Sequence, residues 1–248
     1  MKSSSTSNRS DSSHGVTGLP SLPATPFQFF NPDAPVEITH QNLPHWEQAG
    51  ATYFITFRTK DSIPKEVMDR WMGERREWLQ RHSINPGNPD LSWQIECLPD
   101  LLRKEYHQQF TSNWHDNLDE CHGACVLRDP GLACLIAKSL LHFDGVRCAM
   151  GDFVIMPNHV HLLAGIPGRG DMRRLCYSWK KYTSTEVNKR IGGSGEFWQP
   201  ESYDHIVRNA GSFENFRKYI AENPKKARLK AGEFHWHQRP AEGSPGTP

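Results

Sequence analysis

The chain has 248 residues, 36% of them hydrophobic, and a formal net charge of +1. That is enough chain for one substantial core, or for one core with a sizeable insertion. No apolar run approaches the roughly 18 residues a bilayer-crossing helix needs, and serine and asparagine occupy the place of a signal-peptide core. A cytoplasmic protein without membrane association is the default expectation. The near-zero charge hides an asymmetry: residues 169–230 hold 14 Lys and Arg against 7 Asp and Glu, net +7, leaving net −6 elsewhere. A basic C-terminal half suits a polyanion, although a merely solvated face gives the same imbalance. The six cysteines show no small-scaffold spacing and read as free thiols.

The serine-rich start cannot repay its own ordering entropy, so residues 1–40 are expected to be a disordered tail, as are 237–248. A single domain is expected between them, over 45–236. Its first element is the β-branched and aromatic run Thr52-Tyr-Phe-Ile-Thr-Phe57, which reads as a buried strand. Pro64 opens a helix over Lys65–Arg81. The Asn-Pro-Gly-Asn-Pro-Asp stretch 85–90 breaks the chain, and a second helix spans about 99–112. With their surroundings (about 62–128) these helices form an insertion. Its tryptophans Trp71, Trp78, Trp93 and Trp114 are expected mainly in its core, with base stacking the alternative. Cys121-His122-x-x-Cys125 lacks a second clear ligand pair and is a weak candidate for zinc.

Pro130 starts a helix with an apolar stripe. Two apolar segments around Pro157-Asn158 then read as a β-hairpin, and a basic helix spans about 172–190. An extended segment covers 197–207, and a last helix runs from about Ser212 to Ala221, where Pro224 should end it. This order gives an α+β domain with an antiparallel sheet and helices packed on it.

Two places carry candidate chemistry. His159-Val160-His161 lies in a strand, so both imidazoles share one face and make half of a metal site. Tyr219 and Asn223 are four residues apart on one helix and project from the same face. A phenolate can attack a phosphate, and an amide oxygen can complete a metal shell. Taken singly, each has a structural reading: core-bonded histidines, a packing tyrosine and a helix-ending asparagine.

Taken together, these residues resemble the single-tyrosine HUH (IS200-like) transposases, and among them the REP-associated tyrosine transposases. Four blocks occur in the family's order: Thr52–Phe57, Val154–His161, the segment Phe197–Arg208, and Tyr219-Ile-Ala-Glu-Asn-Pro224. The resemblance implies a ferredoxin-like palm carrying the helical insertion after its first strand. It further implies Tyr219 as nucleophile, His159 and His161 as ligands of Mg²⁺ or Mn²⁺, and Asn223 as third ligand, with His205 as the alternative. The implied reaction is cleavage and strand transfer of single-stranded or hairpin DNA through a 5′-phosphotyrosyl intermediate, by a monomer or homodimer. Arg173, Arg174, Lys180, Lys181, Arg208 and Lys218 are the candidate DNA contacts. The rival readings are a catalytically silent DNA-binding protein of transposase descent and a metal-dependent phosphodiesterase using water.

Overall fold

The computed structural model describes residues 27–40, 44–88 and 91–240. The expected tails lie partly outside this range, but residues 27–40 do not behave as a tail. Phe29 and Phe30 pack against two of the hydrophobic clusters. The Gln48 side chain grips Asn31 from both sides, its Nε2 donating to the Asn31 carbonyl and its Oε1 accepting from the Asn31 N–H, each at 2.8 Å. Three phenylalanines within Phe27–Phe30 supply the apolar surface that the preceding serines lack. A short hairpin, β1 (Glu37–His40) with β2 (Pro44–Glu47), follows them.

The main sheet is antiparallel and has five strands: β3 (Thr52–Arg58), β4 (Ala149–Ile155), β5 (His159–Gly165), β6 (Tyr203–Ile206) and β7 (His235–His237). Their spatial order is β6-β3-β5-β4-β7. Without β7, this is the ferredoxin-like order in which the third strand sits between the first and second. Two crossover helices, α5 (Pro130–Leu141) and α6 (Asp171–Ile191), close the connections. The Asp129 carboxylate caps α5 at the Leu132 N–H (2.9 Å), with Pro130 pre-set at its first position. Leu132, Ile136 and Leu140 of α5 and Leu175, Trp179 and Val187 of α6 pack with Tyr53, Ile55, Val160 and Leu162. Both crossover helices therefore cover one face of the sheet.

The other face carries Phe54, Val154 and Leu163 and packs against α7 (Ala210–Lys226), started by Asn209 accepting from the Ser212 N–H (2.8 Å). Contrary to the expected stop before Pro224, α7 continues through it. A proline near a helix end removes one backbone donor, and the Asn223 and Pro224 carbonyls still accept from Ala227 and Leu229. One glycine has a structural reason in this sheet. At Gly151, where the β4–β5 register shifts, an added Cβ would stand 2.9 Å from Leu163 Cβ.

The insertion between β3 and α5 forms α1 (Lys65–Arg81), α2 (Leu91–Glu96), α3 (Asp100–Tyr106), a π-helical stretch over His107–Ser112, and α4 (Asn113–Asp119). The helix expected over 99–112 is thus one part of a longer run. Trp78, Leu79, Ile95, Tyr106 and Phe110 give the insertion its own core, with Trp71 half-buried against it. The Trp93 side chain lies outside the described residues. All six cysteines are free. No helix among the described residues is long and apolar enough to cross a membrane.

A buried ion cluster ties the small hairpin to the sheet edge. His45 Nδ1 meets the Asp204 carboxylate, and its Nε2 lies 3.7 Å from Glu201. Burial pulls the imidazole down, but the hydrogen bonds and charges of both carboxylates outweigh it and raise the ring to about 9. Because the folded value lies above the ordinary 6.5, this contribution is fully present below pH 6.5 and lost as pH rises through about 9. Urea denaturation across that window should show wild-type stability falling with pH, and His45→Gln should flatten the slope.

Candidate metal and tyrosine site

The histidine pair sits on β5 near the centre of the sheet. His159 and His161 are both fully buried, their rings 4.6 Å apart and edge to face, while Val160 points into the core on the opposite side. Strand alternation therefore places the pair as the sequence reading expects. Each ring is oriented through its Nδ1 atom. His159 Nδ1 lies 2.7 Å from Asn158 Oδ1, and His161 Nδ1 lies 2.7 Å from Thr56 Oγ1. Asn158 is itself pinned, its Nδ2 donating to the His122 carbonyl (2.8 Å). With both Nδ1 atoms engaged, the Nε2 atoms face the site, the arrangement that outer partners impose on metal-binding histidines.

Tyr219 of α7 reaches the pair, with its hydroxyl 3.4 Å from His161 Nε2 and its ring 5.1 Å from the imidazole. Burial keeps the phenol protonated well above its usual range, and the Asp119 and Asp116 carboxylates push the same way; a hydrogen bond with Asn223 opposes them. The Lys226 ammonium lies 4.9 Å over the Tyr219 ring.

The sequence reading missed Asp119. It ends α4, and its Oδ1 lies 3.8 Å from His159 Nε2. Asp119, His159 and His161 bring one ligand atom each within 4.8 Å of one another, the one such His/Cys/Asp/Glu group among the described residues. Burial raises the Asp119 carboxyl to about 6, against the pull of Asn223 and Lys226. One signal was available: a carboxylate at a helix C-terminus opposes the helix dipole and needs another reason to be there. The chain reverses just beyond it with Cys121 in the left-handed region (φ 53).

Asn223, expected as third ligand, is buried beside the cluster with its amide nitrogen donating to Asp119 Oδ1 at 2.8 Å. His205 is not part of the converging group. Its ring packs 5.7 Å from Phe216, and burial lowers it to about 4. The donor set fits a divalent cation. Asp119 Oδ2 and Asn223 Oδ1 are buried without a hydrogen-bond partner among the described residues, and lone pairs left so invite a cation. Two imidazoles and a carboxylate also form a harder set than imidazoles and an amide alone.

The expected DNA contacts divide. Helix α6 lies across the sheet from the histidines, and three of its four candidates have partners within the chain, Arg174 with Asp171 one turn away (3.5 Å). Arg173 pairs with buried Glu47 (2.6 Å), and Lys180 donates to the Pro200 carbonyl (2.6 Å). Arg208 pairs with Glu96 (3.0 Å). Arg174, Lys181 and Lys218 are exposed. Cys121 and Cys125 join no metal-binding group among the described residues, and the Cys125 thiol donates to the Cys121 carbonyl.

Comparison with known proteins finds a family model that matches part of the chain. Residues 142–223 match the model described as "Transposase IS200 like", a span from the end of α5 to Asn223 that includes the histidine pair and Tyr219. Asp119 and the insertion lie outside the matched segment. Among solved structures the chain is similar to a REP-associated tyrosine transposase bound to a REP hairpin. The identity is 16%, over 72% of this chain and 69% of that one, with a TM-score of 0.35. A superposition this loose says nothing about the site. No curated protein matches the sequence.

Asn223→Ala should leave Asp119 Oδ1 buried without its donor and cost about 1–3 kcal/mol in urea denaturation. Lys218→Ala, exposed on the same helix, should stay within about 0.5 kcal/mol of wild type.

Proposed function

We propose that the protein is a metal-dependent transposase that cuts and rejoins single-stranded, hairpin-forming DNA, with Tyr219 as nucleophile. The observation that carries this reading is the meeting of the Tyr219 hydroxyl with the His159–His161–Asp119 cluster, whose two histidines and tyrosine lie in the segment that matches the IS200-like model. Asp119 replaces Asn223 as the third ligand in this proposal, and Asn223 becomes the residue that holds Asp119 in place. A divalent ion in this site, Mn²⁺ or Mg²⁺, supplies a Lewis acid for a non-bridging phosphate oxygen.

The chain's own residues do the rest. The Tyr219 oxygen forms a bond to phosphorus as the bond to the 3′ oxygen breaks, leaving a 5′-phosphotyrosine and a free 3′-hydroxyl. The proton lost by the phenol balances the one gained by the 3′ oxygen. The Lys226 ammonium over the ring favours the developing phenolate, and the closely packed Phe54 and Phe216 keep bulk water from the His161 side. Because the ester is conserved, another 3′-hydroxyl can reverse the step and join strands without ATP. Arg174, Lys181 and Lys218 are exposed and can attract the DNA backbone, Arg174 and Lys218 in competition with their same-helix partners Asp171 and Glu222.

Labelled hairpin oligonucleotides incubated with the protein and Mn²⁺, then run on a denaturing gel, test this. A labelled band at protein mass is expected for wild type and its loss for Tyr219→Phe. Asp119→Ala should weaken Mn²⁺ binding, read by calorimetry, at least tenfold, a loss that even outer-shell partners produce. Cleavage without an adduct that survives Tyr219→Phe would instead establish a water-using phosphodiesterase. Binding without cleavage would establish a silent DNA-binding protein.

A further inference from the structure

A cavity of about 790 Å³ opens beside the site, between the β6 edge of the sheet and the insertion. One wall is a column of two packed indoles with a guanidinium at each end. Arg75 lies over Trp71 (5.8 Å), Trp71 packs on Trp114 (4.9 Å between centroids), and Arg58 lies over Trp114 (5.0 Å). Trp71 and Trp114 are half-buried rather than sealed in a core. The column starts at the histidine cluster, because Arg58 is the cross-strand partner of His159. Thr56, which holds His161, lines the same cavity.

The charges are unevenly committed. Arg58 donates to Ser62 Oγ (3.0 Å), Arg75 donates to Tyr106 Oη (2.6 Å), and Arg76 is exposed at the mouth. None of these three has a carboxylate partner among the described residues. The acids of the cavity are already held: Glu96 by His107 (3.4 Å) and Arg208 (3.0 Å), Asp204 and Glu201 by His45. What is left over is positive charge against π-surface. A neutral apolar ligand would leave the guanidiniums uncompensated, and a compact anion would leave the indoles unused. An unpaired nucleotide supplies a π-face and a phosphate together, and bases stack on indole and guanidinium planes alike.

We propose that this cavity takes an unstacked base of the single strand next to the bond that Tyr219 attacks, with the base against the Arg–Trp column and the adjoining phosphates on Arg58, Arg75 and Arg76. The position of the base relative to the scissile bond rests on the tyrosine reading; base binding itself does not. The insertion thereby acts as a strand clamp as well as the source of Asp119.

The test uses the full-length wild-type chain and a hairpin-free oligonucleotide carrying 5-iododeoxyuridine at successive positions. It is photocrosslinked and mapped by peptide mass spectrometry. Crosslinks to the peptides containing Trp71 or Trp114 are expected from one or two positions. In fluorescence anisotropy, Trp114→Ala should weaken single-strand binding about ten- to hundredfold. Arg76→Glu, on an exposed helix surface, should weaken it severalfold and lower the salt slope by about 0.7 or more without affecting folding. Crosslinks confined to α6 or α7, together with unchanged affinity in Arg76→Glu, would overturn the proposal even if the covalent adduct forms. Crosslinks on the column, with no adduct on the hairpin oligonucleotides, would keep the base site and remove the tyrosine reading. No single-strand binding at all would overturn the base site, while the tyrosine reading would still be decided by the adduct on hairpin oligonucleotides.

Discussion

Burying two imidazoles in the middle of a sheet is the constraint on which the rest of this structure depends. His159 and His161 are fully excluded from solvent, and an imidazole in an apolar interior needs a partner for each nitrogen. Thr56 on the neighbouring strand and Asn158 in the hairpin turn satisfy the Nδ1 atoms. What remains on the other side must be polar, and the chain brings it from two distant places: Tyr219 from the last helix and Asp119 from the insertion. The register of β3 on β5 is therefore more than a packing preference. A slip of one residue would turn both histidines into the face covered by α5 and α6.

This arrangement gives the insertion a role that its position in the chain conceals. It has its own core around Trp78 and Phe110, yet its final helix ends in a buried carboxylate that only the palm can partner. Asn223 closes the link, since one amide on α7 holds the carboxylate delivered by α4. Palm, insertion and tyrosine helix are thus coupled through three side chains, Asp119, Asn223 and His159. That coupling keeps Tyr219 close to the histidines in the resting fold.

Charge and chemistry separate across the sheet. The basic helix that dominates the sequence's charge asymmetry, α6, packs on the face away from the histidines, and part of its charge is committed to Glu47 and to backbone carbonyls. Net charge along a chain does not report which face of a sheet a helix covers, nor which cations already have partners. The surplus positive charge next to the site comes instead from the insertion and β3, in a region whose composition is acidic.

The sequence by itself determined the elements whose signals are local. The β-branched run at Thr52–Phe57, the alternation of His159 and His161, Pro64 and Pro130 at the starts of α1 and α5, and the Asp129 cap of α5 all act within a few residues, and the structure keeps them where the pattern puts them. The four-residue spacing of Tyr219 and Asn223 likewise fixed their common face. Other features depended on contacts between segments far apart in the chain. Asp119 meets Asn223 across 104 positions, Gln48 orders the segment after Phe27, and α7 runs past Pro224 where the Asn223 and Pro224 carbonyls accept from Ala227 and Leu229. The third member of the histidine cluster was decided in the same way. A carboxylate's place in a site is set by which buried groups surround it, and only the folded chain brings those groups together.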